Sequence, residues 1–314
     1  IPEESLANTV NICKSIEDYD FKLASKTKKF VVPLFREEDH VYTDEECNQL
    51  LEYKAWEGMA SRGVSDSEVH RARLLEELAM MKSKNFSSYF LIISDIVDFM
   101  RREGIIVPIG RGSSLGSLVC YVLYVTGLDP VEHTIPFERF INEGRKDLPD
   151  VDTDISQENR GRVLQYIAKK YGHDRVAHIV TFQSLRPKAA IDNVGRVLDV
   201  PHGIRKQATA DIHDDPTSAD TLVELVEATP TTKKIIDQIP NWYEIAVKLE
   251  GNNRNLGSHA AGIVISNSSL SDAGVPLMRD SDDGLSTTQL DMEDMAELGL
   301  LKLDMVGLKN MDVI

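Results

Sequence analysis

The chain has 314 residues, 42% of them hydrophobic and 27% charged, an ordinary balance for a folded protein with one large core or two modest ones. No apolar run reaches the roughly 20 residues of a membrane span, and the first residues do not read as a secretory leader. A net charge of −16 excludes a simple nucleic-acid-coating protein, because phosphate binding needs clustered Lys and Arg.

In chain order, PEESLANTVNICKSI predicts a short helix, followed by irregular lysine-rich chain to about Phe35. The opening Ile-Pro, in place of Met, suggests an excerpt of something longer. From Thr43, TDEECNQLLEYKAWEGMASR predicts a capped helix with an acidic first turn. SEVHRARLLEELAMMKSKNFSSYFLIISDIVDFMRREGI carries helical spacing in two blocks broken near Lys84 to Ser88, closed by Gly104. IIVPIGRGSSLGSLVCYVLYVTGLDP predicts a short strand, a glycine-serine turn and a buried helix. The segment from Gln157 to about Glu250 reads as mostly helical, and after Gly251 the pattern turns to strands in AAGIVIS, STTQLDM and LGLLKLDMVGL. This order predicts a mixed α/β unit interrupted by a helical subdomain. Cys13, Cys47 and Cys120 are few and widely spaced, which predicts a reducing cytoplasm with neither disulfides nor zinc.

Charge is uneven along the chain. Between Arg160 and Lys206 ten Lys and Arg residues face only Asp174, Asp192 and Asp199, a local basic field that can bind a polyanion. Solvated helix faces would give the same pattern.

Four motifs carry chemistry. In DVDTD the spacers Val151 and Thr153 favour a strand, which puts Asp150, Asp152 and Asp154 on one side. Such carboxylates suit Mg²⁺; a polar turn capping the next helix is the alternative. A calcium loop is excluded, because Ile155 and Gly161 stand where it needs Gly and Glu. GRGSSLGS, Gly110 to Ser117, can cradle a phosphate with backbone amides and with Ser113 and Ser114, though it matches neither a Walker A loop nor a dinucleotide fingerprint. A tight turn is its plainer reading. LLKLDMVGL places Lys302 and Asp304 on one strand face, where Asp304 needs either Lys302 or a metal as partner. RNLGSHAAGIVIS sets Arg254 and His259 just before an apolar strand, and a histidine there is more often structural than catalytic. Together these are the parts of a two-metal nucleotidyl-transfer site.

GRGSSLGSLVCYVLYVTGLDP, FERFINEGRKDLPDVDTD, YGHDRVAHIVTFQSLRPKAAIDNVGRVL, KLEGNNRNLGSHAAGIVIS and TTQLDMEDMAELGLLKLDMVGL occur in this order over nearly the whole chain. They resemble the family C replicative polymerases, the alpha subunits of bacterial DNA polymerase III. The resemblance implies a polymerase-beta-like nucleotidyltransferase palm with an inserted helical thumb. It implies catalytic, metal-holding roles for Asp152, Asp154 and Asp304, with Asp150 supporting them. It also implies nucleotide contacts from Arg111, Gly112, Ser113, Arg145, Lys302, Arg254 and His259, and DNA contacts from Arg186, Lys188 and Arg196. Two Mg²⁺ ions, replaceable by Mn²⁺, a deoxynucleoside triphosphate and primer-template DNA would be its ligands, with no membrane partner.

The implied division is a connector over 1–64, palm over 65–155, thumb over 156–249 and the rest of the palm over 250–314. A PHP domain would precede it. Fingers would follow Asp304, in the same chain or in a second polypeptide, with a sliding clamp engaged through regions further on. The resemblance places the protein in the bacterial cytoplasm, or in a host's cytoplasm if a bacterial virus encodes it. Ile109, Thr153 and Ile155 depart from the family pattern and suggest a divergent member. Two other readings stay open here, a template-independent nucleotidyltransferase and a non-catalytic half of a split polymerase or assembly module.

Overall fold

The computed structural model describes residues 7–8, 10–11, 14, 32–37, 40–142, 144, 149–212, 220–279 and 284–313. The expected first helix lies largely outside the described residues, and Arg145 lies outside them too. The chain divides into two compact units, one of 1–179 with 260–314 and one of 180–259.

In the first unit a small hairpin of β1 (Arg36–Glu37) and β2 (His40–Val41) precedes three helices. The first, α1 (Asp44–Ser61), begins as its sequence predicts, with a reciprocal capping box between Thr43 and Glu46. Next come α2 (Glu68–Ser83) and α3 (Ser87–Arg102), separated by Asn85 in the left-handed region at φ 57°. Tyr89 to Ile93, Ile96, Val97 and Met100 of α3 are all buried, so this helix is the spine of the main core. Gly104, at φ 68°, ends it in the glycine-terminated manner predicted.

IIVPI is not the strand its sequence suggests. Pro108 lacks the donor a ladder needs, and these residues run as irregular chain held by Gly127 N–H donating to Ile109 O at 2.7 Å. A single 3-10 turn, Gly112–Gly116, follows and leads into the short buried helix α4 (Leu118–Val122).

β3 (Asp152–Ser156) then enters the main sheet, and α5 (Gln157–Tyr171) follows it directly. The mostly helical expectation for 157–250 misses β4 (Val176–Ser184), whose VAHIVTF run is apolar and β-branched enough to have been read as a strand. β5 (Asn253–Ile265), whose residues from 260 on belong to this unit, β6 (Leu277–Arg279), β7 (Ser286–Thr288), α11 (Met292–Glu297) and β8 (Leu301–Leu308) complete it. The sheet order is β3-β8-β5-β4-β7-β6. β8 runs parallel to β3 and antiparallel to β5. This is a mixed sheet among helices, compatible with a nucleotidyltransferase-like α/β fold.

Before β5, the second unit holds α6 (Pro187–Val197), α7 (His202–Ala208), α8 (Leu222–Ala228), α9 (Pro230–Ile236) and α10 (Trp242–Leu249). Its core centres on fully buried Trp242, whose Nε1–H donates to Ile191 O at 2.8 Å. Gly195 makes room for that indole, since a Cβ there would lie 2.6 Å from Trp242 Cζ2. α5 packs its apolar face, including Val163, Leu164 and Ile167, into the core of the first unit.

Candidate active site

Two of the motif's three aspartates lie on a strand, while Asp150 precedes it, and the motif does not cap the helix. Asp152 and Asp154 belong to β3, and α5 starts after Ser156 with no side-chain capping bond. Strand alternation puts both carboxylates on one face, and a single guanidinium meets them there. Arg111 Nη2 lies 3.0 Å from Asp152 Oδ1, while its Nε donates to both oxygens of Asp154 at 3.2 and 3.1 Å. The bond to Asp154 is the main reason Arg111 is held more firmly in its charged form than a free guanidinium.

The third aspartate arrives through sheet register. Asp304 of β8 is the lateral neighbour of Asp152 in the parallel β3–β8 pair. Leu301, Leu303 and Met305 are buried on the other face, as the alternation in LLKLDM predicts. Lys302 Nζ sits 2.7 Å from Asp304 Oδ2. The carboxylate is only 9% exposed, yet its Oδ1 is buried with no hydrogen-bond partner among the described residues. Such an oxygen costs free energy unless a cation or donor meets it.

Asp150 precedes β3 in irregular chain, and partial burial raises its carboxyl above the usual range, with the charge of Asp304 adding to the effect. The neighbouring Val151 N–H donates to the buried Tyr89 hydroxyl at 3.3 Å, which ties this approach to α3.

The glycine-serine turn stands directly beside the aspartates. Gly112 has φ 74°, a conformation that favours glycine, and a Cβ there would lie 3.5 Å from Asp152 Oδ2. Ser114 is buried and donates to Arg111 O at 3.0 Å, bracing the turn from within. Ser113 is half-buried and makes no side-chain hydrogen bond among the described residues.

Two residues that the sequence reading passed over hold this turn in place. Glu77 is fully buried and accepts from Ser117 Oγ–H at 2.8 Å, Leu118 N–H at 2.9 Å and Val119 N–H at 3.0 Å. Arg73 pairs with it at 2.7 Å and also donates to Gly116 O and Ile135 O. The i,i+4 spacing of Arg73 and Glu77 within RLLEELAMM was the available signal.

Asp152, Asp154, Asp304, Lys302, Arg111 and the Gly112–Ser113 turn thus come together in the first unit. Arg186, Lys188, Arg196, Arg254 and His259 belong to the second. Lys188, Arg196 and Arg254 are exposed there, and Arg186 and His259 half-buried.

Among the described residues, no three His, Cys, Asp or Glu side chains stand arranged to hold a metal ion; Arg111 and Lys302 supply the positive charge on the carboxylates. The donor chemistry nevertheless fits a hard cation: carboxylate oxygens only, two of the three side chains nearly buried, and the Asp304 Oδ1 lone pairs unused.

Residues 49–307 match the family model described as the bacterial DNA polymerase III alpha NTPase domain. The chain is 36% identical over 318 residues to the DNA polymerase III subunit alpha of Borreliella burgdorferi, an alignment covering 99% of this chain and 26% of that protein. It is 40% identical over 273 residues to the Thermus aquaticus subunit, covering 83% and 22% respectively. With the Bacillus subtilis subunit the identity is 41% over 261 residues, covering 82% and 23%. The chain therefore spans about a quarter of the length of these curated relatives.

Proposed function

The chain belongs to the bacterial DNA polymerase III alpha family, and from that premise we propose that its aspartate cluster carries template-directed transfer of a deoxynucleotide to a primer 3′-hydroxyl. The observation that carries this reading is the register match of Asp152 with Asp304, with Arg111 and the Gly112 turn against the same carboxylates. Asp152, Asp154 and Asp304 would hold two Mg²⁺ ions, which when bound supply an activated 3′-hydroxyl and neutralise the leaving pyrophosphate.

The chain's own groups do the rest by position and charge. Gly112 and Ser113 would present a backbone amide and a hydroxyl to the triphosphate. Arg111 and Lys302, which pair with these aspartates, would be the cations facing the collecting negative charge. Asp150, lifted towards its neutral form, would steady Asp304 from behind. Arg145, Arg254 and His259 join the nucleotide contacts on the resemblance alone. The first unit would act as palm and the second as thumb, with Arg186, Lys188 and Arg196 meeting duplex phosphates in a salt-sensitive, largely sequence-independent way. Fingers and clamp contacts would come from further chain or from a second polypeptide.

In the intact polymerase, Asp152→Asn or Asp304→Asn should lower primer extension by at least about a hundredfold, with primer-template affinity nearly unchanged. Robust extension by either variant overturns the reading. Incorporation indifferent to template sequence would favour a template-independent transferase instead. The 314-residue chain alone is expected to incorporate little, and recovery on adding a second polypeptide would identify a split enzyme.

A further inference from the structure

A second concave surface lies on the first unit beside the segment that leads into the glycine-serine turn. It is a pocket of about 270 Å³ lined by Arg62, Arg101, Val107, Pro108, Ile109, Tyr124, Thr126 and Gly127. Two of these residues are cationic and none is acidic, in a chain whose net charge is −16.

Both guanidinium groups lean on one aromatic ring. Arg62 Cζ is 3.9 Å and Arg101 Cζ 3.7 Å from the Tyr124 ring centroid. Arg62 also lies over Tyr121, 4.1 Å from its centroid. Ring quadrupoles compensate full charges only partly, so the pair still raises a positive potential in the pocket. Glu57 and Asp98, which line an adjoining hollow with Arg101, bond to the Tyr53 hydroxyl at 2.7 Å and to Lys54 at 3.3 Å respectively, and Glu103 pairs with Arg162 at 2.6 Å. Arg62 uses Nε and Nη2 on Tyr121 O and Thr126 O, which leaves Nη1 to donate. The Arg101 guanidinium makes no side-chain hydrogen bond or ion pair among the described residues and rests on the Tyr124 ring.

Two further details mark the place. Thr126 is buried, and its Oγ1 has no hydrogen-bond partner among the described residues. Tyr124 holds φ 61°, a left-handed conformation that costs a bulky residue free energy and that tends to collect at ligand sites. Ile109, 65% exposed, adds an apolar part to the lining.

We propose that this pocket binds the phosphoryl group of a small anion, such as inorganic phosphate or pyrophosphate. Guanidinium forks match phosphate oxygens. The volume falls just below the roughly 300–1,000 Å³ of a drug-sized ligand site, so a phosphoryl group with little attached is what fits. The pocket uses none of the aspartate-site residues. It is coupled to them through the chain: Ile109 lies on Gly127, and Arg111 follows two residues later.

The test is a calorimetric titration of the chain, without divalent metal and at fixed ionic strength, with phosphate, pyrophosphate, deoxyadenosine monophosphate and a short DNA duplex. Phosphate or pyrophosphate should bind saturably, the mononucleotide no more tightly than pyrophosphate. Arg101→Gln, a change at an exposed side chain, should weaken binding at least about tenfold. Arg111→Gln should leave the Arg101-dependent binding in place, whatever it removes at the glycine-serine turn, which separates the two sites. No saturable binding, binding that Arg101→Gln leaves whole, or loss of the Arg101-dependent binding with Arg111→Gln overturns the proposal. So does an Arg101→Gln effect confined to DNA, which would assign the pocket to a strand backbone.

Discussion

Two clusters in the first unit use the same chemistry to opposite ends. Around Glu77, a fully buried carboxylate meets three donors from the 117–119 segment and the Arg73 guanidinium, and both oxygens are bonded. Around Asp152, Asp154 and Asp304, carboxylates again meet an arginine, but that arginine is 49% exposed and one buried oxygen of Asp304 is left over. A satisfied polar network fixes structure, and an incompletely satisfied one keeps capacity for a ligand. The first cluster holds the turn still; the second is what the turn faces.

That contrast can be broken by measurement. Glu77→Ala leaves the Arg73 charge and three donors without their acceptor, so it should cost about 3–5 kcal/mol in urea unfolding. A loss under 1 kcal/mol would mean water replaces the carboxylate and the network is not structural. Millimolar Mn²⁺ or Mg²⁺ should raise the stability of the chain by about 1–3 kcal/mol. Asp304→Asn should abolish that gain, and a gain that persists would move the cation elsewhere. Asp154→Asn, made without metal, should change stability by less than about 1 kcal/mol, because it relieves carboxylate repulsion while half-exposed Arg111 turns to water. A loss as large as that of Glu77→Ala would erase the distinction between the clusters.

The mildest probe is chemical. Cys120 N–H donates to the same Ser117 hydroxyl that Glu77 engages, and burial pushes the Cys120 thiol up to about 12. The reactive thiolate is therefore scarce at pH 8. With Cys13 replaced by Ser, thiol reagent should react with neither Cys120 nor buried Cys47 until the chain unfolds. Fast labelling of Cys120 would show that the layer beneath the turn opens.

Local features were legible in the sequence because local chemistry determines them. The Thr43–Glu46 capping box, the Gly104 terminus and the Lys302–Asp304 face each follow from a few adjacent residues. IIVPI misled because its apolar run outweighed one proline, and VAHIVTFQS was hidden by helices on either side. Asp152, Asp154 and Asp304 could be picked out as candidates, but the register that puts Asp152 beside Asp304 is a property of the sheet. Arg111 as the bridge between two aspartates was equally out of reach, since a phosphate contact and a carboxylate partner look alike on paper.

The place of β8 in the sheet bears on the order in which the molecule can be built. β8 lies between β3 and β5, both synthesised before it, so β3 has no partner in this sheet until β8 is inserted. Parallel pairing across so much intervening chain carries a large loop-closure cost and is expected late in folding. During synthesis, Asp152 and Asp154 would wait on an unpaired edge while the helices around α3 settle. The third carboxylate arrives with the strand that closes the gap, so a nascent chain would complete its acidic cluster and its sheet in one event.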